Sequence, residues 1–179
     1  TGAFGEVGHW LGEGVSPCRC GRRGCLEVAL GLETLVKRYR ALGGTASTLE
    51  GLLAGARAGE EAALLALRQL GEALGRFLAN LAVAYDPARV VVGGRVAELF
   101  PFLEASLRAS LQAHAFLEAH RRLPVAPSVY GHLAPAVGGA SLFLARFFEL
   151  GGLWAEGPRR NGGEGYAEVA FGDRYGLGA

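Results

Sequence analysis

All three cysteines of this chain fall within one octet, Cys18-Arg19-Cys20-Gly21-Arg22-Arg23-Gly24-Cys25, and His9 stands nine positions before the first of them. Three thiolates and one imidazole form a complete donor set for a tetrahedral zinc ion, which prefers sulfur and nitrogen ligands in closed structural sites. A Cys-x-Cys pair on a tight turn can present two sulfurs to one ion. Gly21 and Gly24 allow the positive φ that would swing the chain round and return Cys25. A disulfide with one spare thiol is the competing arrangement. The odd cysteine count and the lack of a secretory signal argue against it. Three unrelated buried cysteines would not be expected to cluster between glycines. The sequence therefore predicts a metal clip of His9, Cys18, Cys20 and Cys25, with three thiolates plus a water as its variant. The clip would fix a loop carrying Glu6 and Glu27, the two carboxylates best placed to touch a ligand.

Beyond this loop, periodicity predicts alternating helices and strands. Residues 1–25 read as glycine-rich loop. Glu27 to Leu42 reads as one helix with Leu32, Leu35, Val36 and Tyr39 on one face, stopped by Gly43-Gly44. Ser47-Thr48-Leu49-Glu50 has the form of a capping box with Ser47 as the cap, opening a short helix to about Ala58. Glu60 to Tyr85 is the longest helical stretch, with Leu67, Leu70, Leu74, Phe77, Leu78 and Leu81 as its apolar stripe. Gly71, Gly75 and Ala79 recur every four residues along it, a line of small side chains that invites close approach by another element.

Asp86-Pro87 ends that helix. Val90-Val91-Val92 before Gly93-Gly94 reads as a buried strand of a parallel or mixed sheet. Helical patterns return at Val96–Phe100 and Phe102–Phe116, a second strand lies within Leu123–Tyr130, and a last helix spans Pro135–Leu150. The prolines of the second strand suggest an edge or entry position. This order predicts an α/β arrangement over residues 1–150. Residues 151–179 are rich in glycine and charge, with a short alternating stretch at Tyr166–Phe171, and read as a tail or edge strand.

Composition excludes several classes. The chain is 50% hydrophobic with a formal net charge of +1, enough apolar content for a core and no strong field for nucleic acid. It holds no apolar run long enough to span a membrane. The absence of a signal segment and the reduced cysteines suit the cytoplasm.

Two motifs carry a family resemblance. Gly5-Glu6-Val7-Gly8-His9, followed by Cys18-x-Cys20-Gly21-x-x-Gly24-Cys25-Leu26-Glu27, resembles the signature of the ROK family (repressors, open reading frames and sugar kinases). Asp86-Pro87 with Val90-Val91-Val92-Gly93-Gly94 is similar to the later nucleotide-side strand and glycine turn of that family. The resemblance covers about residues 2–150 and implies the C-terminal lobe of an actin-like, ribonuclease-H-like ATPase fold. The lobe would be incomplete at its first strands, with residues 1–27 as a zinc-bound loop. It also implies that His9 and the three cysteines bind zinc, and that Glu6, His9 and Glu27 lie against sugar hydroxyls. Gly93 and Gly94 would approach ATP if the chain is a kinase, and Arg95, where a small residue is expected, would crowd that side.

Two departures bear on activity. The chain has no phosphate-binding Asp-Gly loop, and no aspartate precedes the cysteine motif; Asp86 and Asp173 lie downstream. Phosphoryl transfer needs a positioned base and a clamp on the phosphates, so this segment alone is not expected to phosphorylate a sugar. The first expectation is the sugar-sensing part of a ROK transcriptional repressor, reaching DNA only through a domain absent from this chain. The alternatives are the C-terminal half of a ROK kinase that phosphorylates a hexose with ATP and Mg²⁺, and a non-catalytic zinc-stabilised assembly module. The resemblance further implies self-association into a homo-oligomer.

Overall fold

The computed structural model describes residues 5–12 and 14–150, the last five of these by backbone alone. Contacts divide the chain into two units, Thr1–Gly138 and Gly139–Ala179. Within the first unit, α1 (Leu26–Ala29), α2 (Leu32–Ala41), α3 (Leu49–Arg57) and α4 (Glu61–Tyr85) precede β1 (Val90–Val92). Then follow α5 (Val96–His114), α6 (Glu118–Arg121) and β2 (Val125–Pro127). A last helix, α7 (Ala134–Leu150), crosses the division between the units. The glycine-rich segment from 151 onward, including the alternating stretch Tyr166–Phe171, lies outside the described residues.

The core forms mainly where α4 lies along α5. Leu67, Leu70 and Leu78 of α4 and Leu99, Leu103, Leu107 and Leu111 of α5 are all at most 5% exposed. Leu74, Phe77 and Leu81 border this cluster half-buried, so the predicted stripe is the buried face of α4. The line of small residues has its partner here. A Cβ on Gly71 would lie 2.6 Å from the Leu103 carbonyl oxygen, and one on Gly75 would lie 2.6 Å from Ser110 Cβ and 2.8 Å from the Leu111 nitrogen. Steps of four on one helix match steps of four on the other, so the two run parallel with main chains close together. Ser110 Oγ donates across the contact to the Glu72 carbonyl, 2.7 Å away, which satisfies a hydroxyl that would otherwise be buried unpaired.

β1 and β2 pair in parallel, with Val90 opposite Val125, Val91 opposite Ala126 and Val92 opposite Pro127. Parallel neighbours need a crossover, and α5 and α6 supply it. The sequence predicts a buried β1, but Val91 is 59% exposed. Successive strand side chains point to opposite faces. Val90 and Val92 pack against the core, while among the described residues nothing covers the face bearing Val91.

Three local expectations are corrected. The predicted helix from Glu27 to Leu42 is two helices, because Gly31 takes an extended conformation (φ −66°, ψ 144°) as the N-cap of α2. The cap of α3 is Thr48 and not Ser47: Thr48 Oγ1 accepts from the Gly51 N–H at 3.2 Å, and the Glu50 side chain pairs with Arg95. The helices expected on either side of Pro101 form one helix, α5, with Pro101 inside it. Burial of Leu99, Phe100 and Leu103 along one face holds that helix together through the proline. Asp86 closes α4 in the left-handed region at φ 44°, the one non-glycine residue with positive φ among those described.

Candidate functional site

The loop before α1 is short but heavily tied. Val7–His9 make one 3-10 turn, with the His9 N–H donating to the Glu6 carbonyl at 3.0 Å. Antiparallel bridges join Leu11 to Cys25 and Pro17 to Arg23. The Leu26 N–H donates to the Trp10 carbonyl at 2.9 Å, so the loop closes on the helix that carries Glu27. Between the bridges the chain reverses at Cys18–Gly21, where the Gly21 N–H donates to the Cys18 carbonyl at 3.0 Å. Gly21 at φ +87° and Gly24 at φ +77° make the reversal possible, since an L side chain rarely adopts either angle. Trp10 anchors the loop to α4. Its ring stacks on Tyr85 at 6.4 Å between centroids and meets the ring of Phe77 edge-on at 6.3 Å.

This folding gathers the four predicted ligands. One donor atom each from His9, Cys18, Cys20 and Cys25 fall within 4.8 Å of one another. His9 Nδ1 lies 3.8 Å from Cys18 Sγ, and Cys20 Sγ lies 3.6 Å from Cys25 Sγ. The edge of a tetrahedral thiolate site is about 3.8 Å, given zinc–sulfur bonds of about 2.3 Å. None of the three sulfurs is in a disulfide. The donor set and its spacing therefore fit a thiophilic divalent cation.

The electrostatics of the cluster are uneven. The backbone N–H of Arg22, and then its guanidinium, hold the Cys20 thiol down to about 6. Burial pushes the Cys25 thiol up to about 11, and the neighbouring sulfurs add to the effect. The two shifts run in opposite directions within one cluster. A cation at the centre would favour ionisation of every sulfur around it.

His9 faces two ways. Nδ1 points toward Cys18, and Nε2 lies 3.6 Å from Glu27 Oε2. Glu27 stands in the first turn of α1 with its side chain 61% exposed, so one carboxylate oxygen remains open to a ligand. Gly8 lies beside it: a Cβ there would sit in ordinary contact, 3.5 Å from Glu27 Oε2. Glu6 is the N-cap residue of the 3-10 turn that ends at His9, and its side chain is exposed. The structure thus brings His9 and Glu27 together and sets Glu6 at the other end of the same turn.

Gly93 and Gly94 lie elsewhere, at the turn between β1 and α5. Gly94 takes φ +67°, and its N–H donates to the Gly131 carbonyl at 3.1 Å. Arg95 follows as the N-cap residue of α5 and pairs with Glu50 of α3. That pair borders an open cavity of about 490 Å³ with Leu32, Val36 and Leu49 on its apolar wall and Lys37 and Arg40 beside them. The sequence raises Arg95 and Glu50 separately, the latter in a capping box, but not their pairing, nor the roles of Trp10 and Arg22. An aromatic residue directly after a ligand histidine and an arginine between two ligand cysteines were the available signals.

The ROK family model matches residues 1–146, and the chain belongs to the ROK family. It is 26% identical over 151 residues to the xylose repressor of Bacillus subtilis, which covers 84% of this chain and 39% of that protein. It is 29% identical over 158 residues to the N-acetyl-D-glucosamine kinase of Pasteurella multocida, covering 82% and 51%. Among solved structures, a ROK family glucokinase from Streptomyces griseus in complex with glucose and AMPPNP aligns with a TM-score of 0.66 at 26% identity, over 76% of this chain and 50% of that one. The fold is therefore that of ROK kinases and repressors, the actin-like ATPase fold. The chain spans between 39% and 51% of the length of these curated relatives. No helix among the described residues is long and apolar enough to cross a membrane.

Proposed function

We propose that this chain is the carbohydrate-binding C-terminal lobe of a ROK sugar sensor, its binding loop stabilised by zinc. His9, Cys18, Cys20 and Cys25 would hold the ion, which would act structurally by fixing the loop. The observation that carries this reading is the two-sided imidazole: one nitrogen faces the cysteine cluster and the other faces Glu27 at 3.6 Å. With Nδ1 committed to a metal, Nε2 keeps its proton and becomes a fixed donor. A donor beside a carboxylate acceptor matches a pair of adjacent sugar hydroxyls, and the ionised acceptor makes the stronger bond. Glu6 would supply a second carboxylate from the start of the same turn. The pentose and hexose relatives point to a monosaccharide.

Attachment of this lobe to a DNA-binding domain in a repressor is the first form of the proposal. Arg95 supports it, because it directly follows the Gly93-Gly94 turn, at a position where the family resemblance leads one to expect a small residue, and its side chain pairs with Glu50. The second form is the C-terminal half of a sugar kinase, favoured by the likeness to the glucokinase bound to glucose and AMPPNP. Calorimetric titration with xylose, glucose and N-acetylglucosamine tests the shared core. We expect one of them to bind wild type and to bind Glu27→Gln at least about tenfold more weakly, the loss of a charged hydrogen bond. Binding that ignores Glu27→Gln removes the site, and AMPPNP binding by wild type overturns the repressor form in favour of the kinase.

A further inference from the structure

Arg22 is hydrogen-bonded to two of the four candidate metal ligands and has no assigned part in the site. Its Nη2 donates to the His9 main-chain carbonyl at 2.8 Å, a contact spanning thirteen residues of sequence. Its own carbonyl accepts from the Cys18 N–H at 2.8 Å. Its charge also acts on the nearby Cys20 thiol and helps to hold it down. The neighbouring arginines differ: Arg23 donates to the Val15 carbonyl at 3.3 Å, and Arg19 is exposed with no hydrogen bond or ion pair to any described residue.

We propose that Arg22 is a positioning residue for the metal centre, tying the histidine arm of the loop to the cysteine turn and offsetting the excess negative charge of a three-thiolate site. The inference rests on the zinc reading above. The main-chain bond from Cys18 sets Arg22 within the cysteine turn, and its guanidinium then reaches the His9 carbonyl, so one residue ties the two arms together. The charge argument points the same way. A divalent ion with three thiolates and a neutral imidazole carries one net negative charge, and a guanidinium is the cation best suited to lie against it. It is weakly hydrated, permanently charged and able to bond in two directions from one plane. Lysine carries its three donors on one nitrogen and lacks the fixed planar fork that holds a guanidinium between separated acceptors.

The test is zinc affinity of the full chain at fixed pH and ionic strength, measured by competition with a chromophoric chelator. Cobalt substitution reports the ligand set through its thiolate charge-transfer band. Arg22→Ala is expected to lower zinc affinity by about 10- to 100-fold, the range typical of partners that orient metal ligands. The cobalt band should persist, showing that all three sulfurs still bind. Arg22→Lys is expected to fall between wild type and Arg22→Ala, and Arg19→Ala to match wild type. If Arg22→Ala weakens binding no more than Arg19→Ala, only bulk charge is at work and the proposal fails. Should Arg22→Ala not fold, Arg22→Lys decides alone, since full wild-type affinity would rule out the two-point bridge. A wild-type chain that binds neither zinc nor cobalt overturns the metal reading itself, and this inference with it.

Discussion

The closest main-chain approach in the core makes a sharp prediction at Gly75. In an open helix, replacing glycine with alanine stabilises by about 1 kcal/mol, because alanine restricts the unfolded chain and favours helix. At position 75 the added methyl would stand 2.6 Å from Ser110 Cβ and 2.8 Å from the Leu111 nitrogen. Unstrained carbon contacts lie near 3.5–4.0 Å, so the overlap is about 1 Å, and much of it is against backbone that cannot rotate away. Helices α4 and α5 would have to separate along their most buried stretch. Overpacking of this kind costs about 1–3 kcal/mol, and contact with backbone places it at the upper end. After the propensity gain is subtracted, Gly75→Ala should destabilise by about 2 kcal/mol. Gly138 is the control, since a Cβ there meets nothing within 4 Å. Urea unfolding followed by circular dichroism would read both variants. Gly75→Ala should shift its midpoint down while Gly138→Ala stays level or rises. A Gly75→Ala protein as stable as wild type would refute the reasoning, because the two helices would then have slack the structure does not show.

Other outcomes are equally specific. Chelation should lower the unfolding temperature and change the fluorescence of Trp10, whose ring joins the cysteine loop to α4; a chain whose stability ignores a strong chelator does not depend on metal. Thr48→Ala should cost about 1 kcal/mol through loss of the α3 cap, and Ser47→Ala almost nothing; the reverse order in denaturant midpoints would restore Ser47 as the cap. Arg95 holds the Glu50 carboxyl below its usual range, so the pair adds stability that is fully present above the ordinary glutamate value. That increment is lost as pH falls through the lowered value, because the unfolded chain then binds the proton more readily. The stability gap between wild type and Glu50→Gln should therefore close in acid, and a gap that does not vary with pH would exclude the pair as its source.

The legible parts of this protein were those written in local order. Three cysteines and a histidine at fixed short separations need only tight turns to meet, and the two glycines that permit those turns sit among them. The stripe on α4 and the valine run of β1 are likewise patterns of one element. Sequence failed where two options of similar local energy competed. Ser47 and Thr48 can both cap a helix, and the choice falls to the residue whose hydroxyl reaches the Gly51 N–H once α3 is docked. Leu30-Gly31 can continue a helix or break it, and closure of the cysteine loop through the Leu26 N–H to the Trp10 carbonyl favours the break.

By itself, then, the sequence determined the family, the α/β order of elements and the gathering of His9 with the three cysteines, because each rests on residue type and short spacing. Only the tertiary structure decided that α5 is what the small-residue line on α4 receives. The same is true of Glu50 as the partner of Arg95, 45 residues away, and of Arg22 as the link between the histidine arm and the cysteine turn. Those are relations between separate segments. Many pairings satisfy the same local pattern, and the one that forms is selected when burial of the shared core fixes which surfaces can meet.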